Sequence, residues 1–391
     1  MTDIVILAGA RTPIGSFGGA LSTLSPIETA THVTRAAMER AGVTPDQIGT
    51  VVFGHVLNTE PRDMYLSRVA AMQAGIPETV PAMNVNRLCG SGAQAVVSAV
   101  QSLLLGDAGF ALAGGAEAMS RAPYILPAAR FGQKMGDAQV VDMMLGALTC
   151  PFGTGHMGVT AENVAREYGI SRADQDAFAL ESQTRAAKAI AGGHFSAEIA
   201  PIEIPTRKGS VVFDTDEHPK VTSLEALAGL RAAFEKNGTV TAGNASGIND
   251  GAAALVLARE DAAQRAGLTP RARVLGYAVA GVRPEVMGIG PVPAVEALCA
   301  KTGLKITDFD IVESNEAFAA QALAVSRTLG LAADQVNPDG GAIALGHPVG
   351  ATGAILVVKA LHALERRALK RALITMCIGG GQGIALAIER I

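Results

Sequence analysis

Tryptophan is missing from this 391-residue chain, aromatic residues make up only 4%, and there are just four cysteines. Without bulky rings the core has to be assembled from Ala, Val, Leu and Ile. The 45 glycines then mark places where backbones or a ligand come close. Cys89, Cys150, Cys299 and Cys377 stand far apart with no C-x-x-C pair, which argues against both a disulfide framework and a zinc site. Free thiols in a reducing compartment are the expectation, and no metal ligand set is read. A surplus of positive charge is absent too: 32 Lys and Arg against 36 Asp and Glu give a formal charge of −4. General attraction to nucleic acid or an anionic membrane is thereby excluded, and any anionic ligand must meet a local basic patch. The opening MTDIVILAGARTPIG has no basic leader region, and its short apolar run ends at Arg11 and Pro13. No signal peptide or spanning helix is read there, and a cytoplasmic location is expected.

What the chain does have is 49% hydrophobic residues and length enough for roughly two or three domains. It also repeats itself. AMNVNRLCGSGAQAVVSAVQSLLLGDAGFALAGGAEAMS reads as a strand at Val85-Asn86, a loop of small residues, a helix, and a strand ending at Gly114-Gly115. QVNPDGGAIALGHPVGATGAILVVKALHALERRALKRALITMCIGGG keeps that order, with Val336-Asn337, a helix from about Gly350 and a strand ending at Gly379 to Gly381. One more strand completes each copy, from Asp250 to Glu260 in the first and Gly381 to Arg390 in the second. The first copy is therefore interrupted. The expected division is an N-terminal core domain over 1–119 and 248–270, an inserted loop domain over 120–247 with a helix from Arg172 to Ala191, and a C-terminal core domain over 271–391. Short apolar strands alternating with helices predict α/β domains whose helices pack between the sheets. Helices in that middle layer must be apolar all round, and QAVVSAVQSLLLG and TGAILVVKAL come close.

Cys89 follows a strand pattern and opens a helix, so the partial positive charge of a helix N-terminus is expected to favour its thiolate. Gly90 and Gly92 leave room for a substrate and for N–H groups aimed at an oxyanion. His347 lies in the glycine-rich loop GGAIALGHPVGATG, where an imidazole can take a thiol proton. Cys377 ends the strand RALITM beside the turn IGGGQG and can serve as a base on a carbon acid. In isolation each cysteine also fits a buried core thiol. Asn315 and Glu316, between a strand and a helix, equally fit an N-cap supplied by Ser314 or Asn315.

Together, VNRLCGSG around Cys89, NEAF from Asn315 to Phe318, NPDGGAIALGHPVGATG around His347 and ALITMCIGGGQG around Cys377 resemble the four signature blocks of the thiolase family, in order and over essentially the whole chain. The resemblance implies the thiolase fold: two duplicated α/β core domains in a five-layer α-β-α-β-α arrangement plus an inserted loop domain, assembled as a dimer or homotetramer. It implies Cys89 as the acyl-accepting nucleophile, His347 as its activator and Cys377 as the acid/base. Asn315 resembles the holder of a water in one oxyanion hole, and the N–H groups of Cys89 and Gly379 resemble the second. His156 and Met157 match a His-Met pair of short-chain biosynthetic members, Ser246 a pantetheine contact, and Met287 and Phe318 an acyl pocket. Arg207, Lys208 and Lys220 are the cations at hand for CoA phosphates.

The implied activity is acetyl-CoA C-acetyltransferase, condensing acetyl-CoA with itself or another short acyl-CoA through an acyl-Cys89, with CoA as substrate or product and no cofactor. A degradative 3-ketoacyl-CoA thiolase is the alternative. A ketoacyl synthase is disfavoured by Cys377, because decarboxylative condensation needs no base for a carbon-bound proton. An idle CoA-binding scaffold is disfavoured by the intact set of site residues. The run TEPRDMYLSRVAAMQAG, Thr59 to Gly75, looks more like broader β-ketothiolases that accept slightly longer acyl groups.

Overall fold

The computed structural model describes residues 3–391; the first two positions of the expected N-terminal domain lie outside the described residues. Among the described residues one sheet holds ten strands: nine form two halves of like build, and the tenth, Gly15–Ser16, pairs with Asn249 and Asp250. The first half contains β1 (Ile4–Arg11), β2 (Thr50–Gly54), β3 (Ala82–Val85), β4 (Phe110–Ala118) and β5 (Asn249–Arg259), side by side as β3-β2-β4-β5-β1. Here β2 runs parallel to β3 and β4, whereas β5 is antiparallel to β4 and β1. The second half contains β6 (Ala272–Gly281), β7 (Ile311–Ser314), β8 (Arg371–Ile378) and β9 (Gln382–Arg390) in the order β7-β8-β9-β6. Its ladder is one parallel pair followed by two antiparallel ones, matching the first half from β2 onward. A parallel bridge from Val312 to Val336 takes the place that β3 holds beside β2. The sequence repeat is thus a duplicated topology. The sheets expected to be separate touch at one edge, where Val5 pairs Arg273 and Ile6 pairs Ala272.

Strand alternation sends neighbouring side chains to opposite faces, and here both faces are covered. Ile6 joins a core with Ala113, Leu255, Ile374 and Leu386, whereas Val5 and Leu7 join another with Phe53 and Val33. Helices α1 (Pro26–Ala41) and α2 (Leu66–Gln73) form the outer layer on the first half, and α3 (Ser91–Leu105) lies in the middle. The insertion contributes α4 (Met157–Glu167) and α5 (Arg172–Ala191). On the second half α6 (Pro291–Thr302) and α7 (Ala319–Leu329) lie outside, and α8 (Thr352–Arg366) shares the middle layer with α3. Every residue of α8 from Thr352 to Leu364 is buried, Lys359 and His362 included. The expectation of all-round apolar burial therefore holds for α8, but it fails at the last turn of α3, where Leu104 and Leu105 are exposed.

Two glycines fix how closely the middle helices meet. A Cβ on Gly92 would stand 2.6 Å from the Ala354 nitrogen, and one on Gly353 would stand 2.2 Å from the Ala93 nitrogen. No side chain fits there, so the first turns of α3 and α8 touch backbone to backbone. The loops entering them, which carry Cys89 and His347, are brought together as a result.

The insertion is tied to β1 by a buried ion cluster. Arg11 reaches Glu198 at 2.8 Å and Asp216 at 2.7 Å, and Asp216 also accepts the Ile14 N–H at 2.7 Å. Removing one partner from such a cluster costs about 3–5 kcal/mol, because the remaining charge is left buried.

Candidate active site

Cys89 sits in the turn between β3 and α3. Leu88 takes a left-handed φ of 45°, uncommon for a bulky residue, and its neighbours hold it there. Its N–H donates to Asn86 Oδ1, while the Ser91 hydroxyl donates to the Leu88 carbonyl and accepts the Arg87 N–H. A Cβ on Gly90 would lie 2.6 Å from Ile378 Cδ1, so this turn of the first copy abuts β8 of the second.

His347 is fixed from three sides. Its N–H donates to Asn249 Oδ1 at 2.9 Å, and Asn249 Nδ2 in turn donates to the Gly15 carbonyl. Nδ1 lies 2.6 Å from Thr352 Oγ1, whose one proton goes to the Pro348 carbonyl at 2.9 Å. The hydroxyl can therefore only accept from the ring, which places the imidazole proton on Nδ1 and leaves Nε2 as the base. The Asn315 amide lies 3.4 Å from that Nε2. Burial lowers the His347 pKa to about 4, so the ring rests neutral at neutral pH.

Both cysteines are held as thiols. Burial pushes Cys89 up, and the N–H groups of Gly379 and of Cys89 itself act on its sulfur in the opposite sense. The thiolate expected from helix position alone is not the resting state: Cys89 precedes the first helical residue, Ser91, by two positions, and desolvation outweighs the dipole. Cys377, 1% exposed in β8, is raised by burial and by the adjacent Cys89.

These groups open onto a cavity of about 810 Å³ lined by Cys89, His347, Cys377 and Gly379 together with His156, Met157, Ser246, Met287, Phe318 and Lys220. Of the site residues read from the sequence, Asn315 alone is reached indirectly, through His347. His156 Nδ1 accepts the Gly158 N–H at 3.0 Å, and the ring stacks on Phe234 at 4.7 Å; Phe234 meets Phe318 edge-on at 6.2 Å. Met157 packs by Gly379, where an added Cβ would be 3.1 Å from the Met157 methyl.

Several expectations change. Arg207 and Lys208 form the exposed tip of the hairpin Ile202–Thr206 and Gly209–Phe213 and are not part of the cavity wall, whereas Lys220 and an unanticipated His218 are. Ser314 and Asn315 do not cap α7, which starts at Ala319; Glu316 accepts from Ser182, Asn337 and the Ile343 N–H, the last in the first turn of the short helix Ala342–Leu345. Asn249, Thr352 and Phe234 also escaped the sequence reading. Asn249 stands at the end of the segment TAGNASGIN, yet nothing there shows that its side chain holds a loop nearly a hundred residues away.

Family models described as the thiolase N-terminal domain and the thiolase C-terminal domain match residues 4–261 and 268–390. Over 391 residues, covering 100% of this chain and 99% of the relative, the sequence is 57% identical to the beta-ketothiolase BktB of Cupriavidus necator. It is 51% identical to the acetyl-CoA acetyltransferase of Escherichia coli, with full coverage of both (100% each). The crystal structure of the Bacillus anthracis acetyl-CoA acetyltransferase matches with a TM-score of 0.98 at 46% identity, covering 100% of this chain and 99% of that one. Human mitochondrial 3-ketoacyl-CoA thiolase in complex with CoA matches at 0.96 and 43%, covering 100% and 98%. With its duplicated fold, its signature segments gathered on one cavity and both family models matched, the chain belongs to the thiolase family and is an acyltransferase enzyme.

Proposed function

We propose that the enzyme is an acetyl-CoA C-acetyltransferase working through an acyl-Cys89, and the observation that carries the reading is the meeting of Cys89, His347 and Cys377 on one cavity. His347 Nε2 takes the Cys89 proton as the sulfur attacks the thioester carbonyl. The N–H groups of Cys89 and Gly379, already directed at that sulfur, receive the oxyanion. CoA leaves with the proton of the Cys377 thiol, which leaves Cys377 as a thiolate, while His347 keeps the Cys89 proton on Nε2. The Cys377 thiolate then removes an α-proton from a second acetyl-CoA, whose enolate oxygen is met by the Nε2–H of His347 and by a water held on Asn315; the enolate carbon attacks acyl-Cys89, whose sulfur departs and takes the proton from His347. Run backwards, the same steps are thiolysis of a 3-ketoacyl-CoA. The thioester itself acidifies the α-carbon, so these steps draw on no cofactor.

His156 and Met157 border the acyl end, Met287 and Phe318 its pocket, and Ser246 the pantetheine arm, with Lys220 and His218 at the wall available to CoA. The division at 119/120, 247/248 and 270/271 into two core parts and an insertion is proposed for the domains. The exposed Phe131 and Met135 of the insertion and Met83 on the edge strand β3 support assembly as a homotetramer, and the cytoplasm is the proposed location.

The test is Cys377→Ala. Incubated with acetyl-CoA it should show acetylated Cys89 by mass spectrometry yet neither condense nor exchange α-protons with deuterated solvent. Undiminished condensation would sink the assignment. Thiolysis rates over a series of 3-ketoacyl-CoA lengths would then separate a strict acetoacetyl-CoA enzyme from a broader β-ketothiolase.

A further inference from the structure

Glu117 stands near the end of β4 in the first copy, 1% exposed, and has no part in the steps above. Its carboxylate accepts backbone N–H groups from two loops of different copies: Val56 at 3.1 Å and Leu57 at 3.0 Å after β2, and Gly350 at 2.9 Å in the loop that carries His347. His55 Nδ1, which lies 2.9 Å from the Ala116 carbonyl, is 3.5 Å from the same carboxylate. Surrounded by donors, the site is built for a carboxylate, and hydrogen bonds of that kind are about twice as strong as neutral ones. The fit leaves no slack: a Cβ on Gly350 would lie 2.4 Å from Glu117 Oε2, and one on Gly115 would lie 2.3 Å from the Gly350 carbonyl oxygen.

We infer that Glu117 is a positioning residue that locks the His347 loop of the second copy onto the first copy and so sets His347 against Cys89. Val56, one of the residues it holds, also lines the cavity. The charge of Glu117 adds to the burial that already disfavours the Cys89 thiolate. A carboxylate there works against the nucleophile electrostatically, so its benefit has to be geometric. A misplacement of about 1 Å in such a pair can cost on the order of a hundredfold in rate.

The inference rests on acyl transfer through Cys89 and His347. Glu117→Gln keeps the shape but turns one acceptor into an NH2 facing N–H donors. Gly350→Ala strains the same contact from the other side and leaves the carboxylate intact. In acetoacetyl-CoA thiolysis each should lower kcat about ten- to a hundredfold with KM within about twofold, because the locked element positions the reacting pair rather than binding CoA. The double variant should lose little beyond the worse single one, since both undo one contact. Either folded variant with wild-type kcat, a loss carried by KM, or losses that multiply in the double variant would overturn the inference. If Glu117→Gln does not fold, Gly350→Ala decides by its kcat and KM alone. A wild-type protein that forms no acyl-Cys89 would refute the functional reading instead, so the two failures are told apart.

Discussion

The two copies share strand order and a middle-layer helix, and they differ at the loop that enters that helix. In the first copy the chain passes from β3 to α3 through a tight turn that presents Cys89; in the second it passes from Asn337 to α8 through a long loop with its own short helix, Ala342–Leu345, and presents His347. Both copies also supply a cysteine, in unlike surroundings. Cys89 is partly open to the cavity and has the N–H of Gly379 from the other copy aimed at its sulfur, whereas Cys377 is enclosed in β8 with Cys89 as the neighbour that raises it further. Duplication supplied a symmetric scaffold; the chemistry lies in the departures from symmetry, and neither copy alone holds a complete site.

The largest effect should follow from replacing the sulfur that the Gly379 N–H faces. Cys89→Ser is expected to lower acetoacetyl-CoA thiolysis by on the order of a thousandfold or more, because a hydroxyl is a far weaker nucleophile at neutral pH. Near-normal turnover would erase the contrast between the two cysteines. Asn315→Ala, which acts in the second copy, should cost roughly two to three decades in the condensation kcat, as removal of one oxyanion donor does. Acetylation of Cys89 by acetyl-CoA should be much less affected, and equal losses in both half-reactions would show that the copies do not divide the work this way.

Smaller effects probe the seam between copies. Gly353→Ala drives a methyl into the backbone at Ala93, and overpacking of this kind costs typically about 1–3 kcal/mol. Urea unfolding should show it, and an unchanged midpoint would mean that the helices are not held at contact distance. His362 on α8 reports on pH. Burial, with Arg271 nearby, lowers its pKa to about 4, while the unfolded chain titrates near 6.5. Between those values the unfolded state binds the extra proton, so this contribution is whole above about pH 6.5 and is lost as pH falls toward 4. Glu313, raised by burial to about 7, acts in the opposite sense and is common to both proteins in the comparison. His362→Gln should therefore reduce the fall in Tm between pH 7 and pH 5 by an amount on the order of a few degrees. Parallel melting curves for the two proteins would show that His362 is not buried as a neutral ring.

The helix Arg172–Ala191 and the duplicated strand order were legible because apolar periodicity is written in adjacent residues; the segments around Cys89, His347 and Cys377 stood out by their glycines and, with Asn315, received their roles from the resemblance to the thiolase signature blocks. Asn249, Thr352 and Glu117 were not, since each works by a hydrogen bond to a loop fixed in place by the fold. The Cys89 thiolate was misjudged for a related reason. A helix N-terminus is a local feature, whereas desolvation depends on everything packed around the sulfur, and burial proved the larger effect. Of the cations read for the CoA phosphates, Lys220 lines the cavity and Arg207 and Lys208 stand on the exposed tip of a hairpin, a difference that only the fold makes visible.

By itself the sequence determined the class of fold, its duplication, and which residue types could perform acyl transfer, all of which depend on spacing along the chain. The tertiary structure decided which nitrogen of His347 is free, that both thiols rest protonated, and how the first turns of α3 and α8 meet through Gly92 and Gly353. Those are consequences of burial, of the way one loop folds back on itself, and of contacts between α3 and α8 residues far apart in the chain, quantities that exist only once the chain has closed around them.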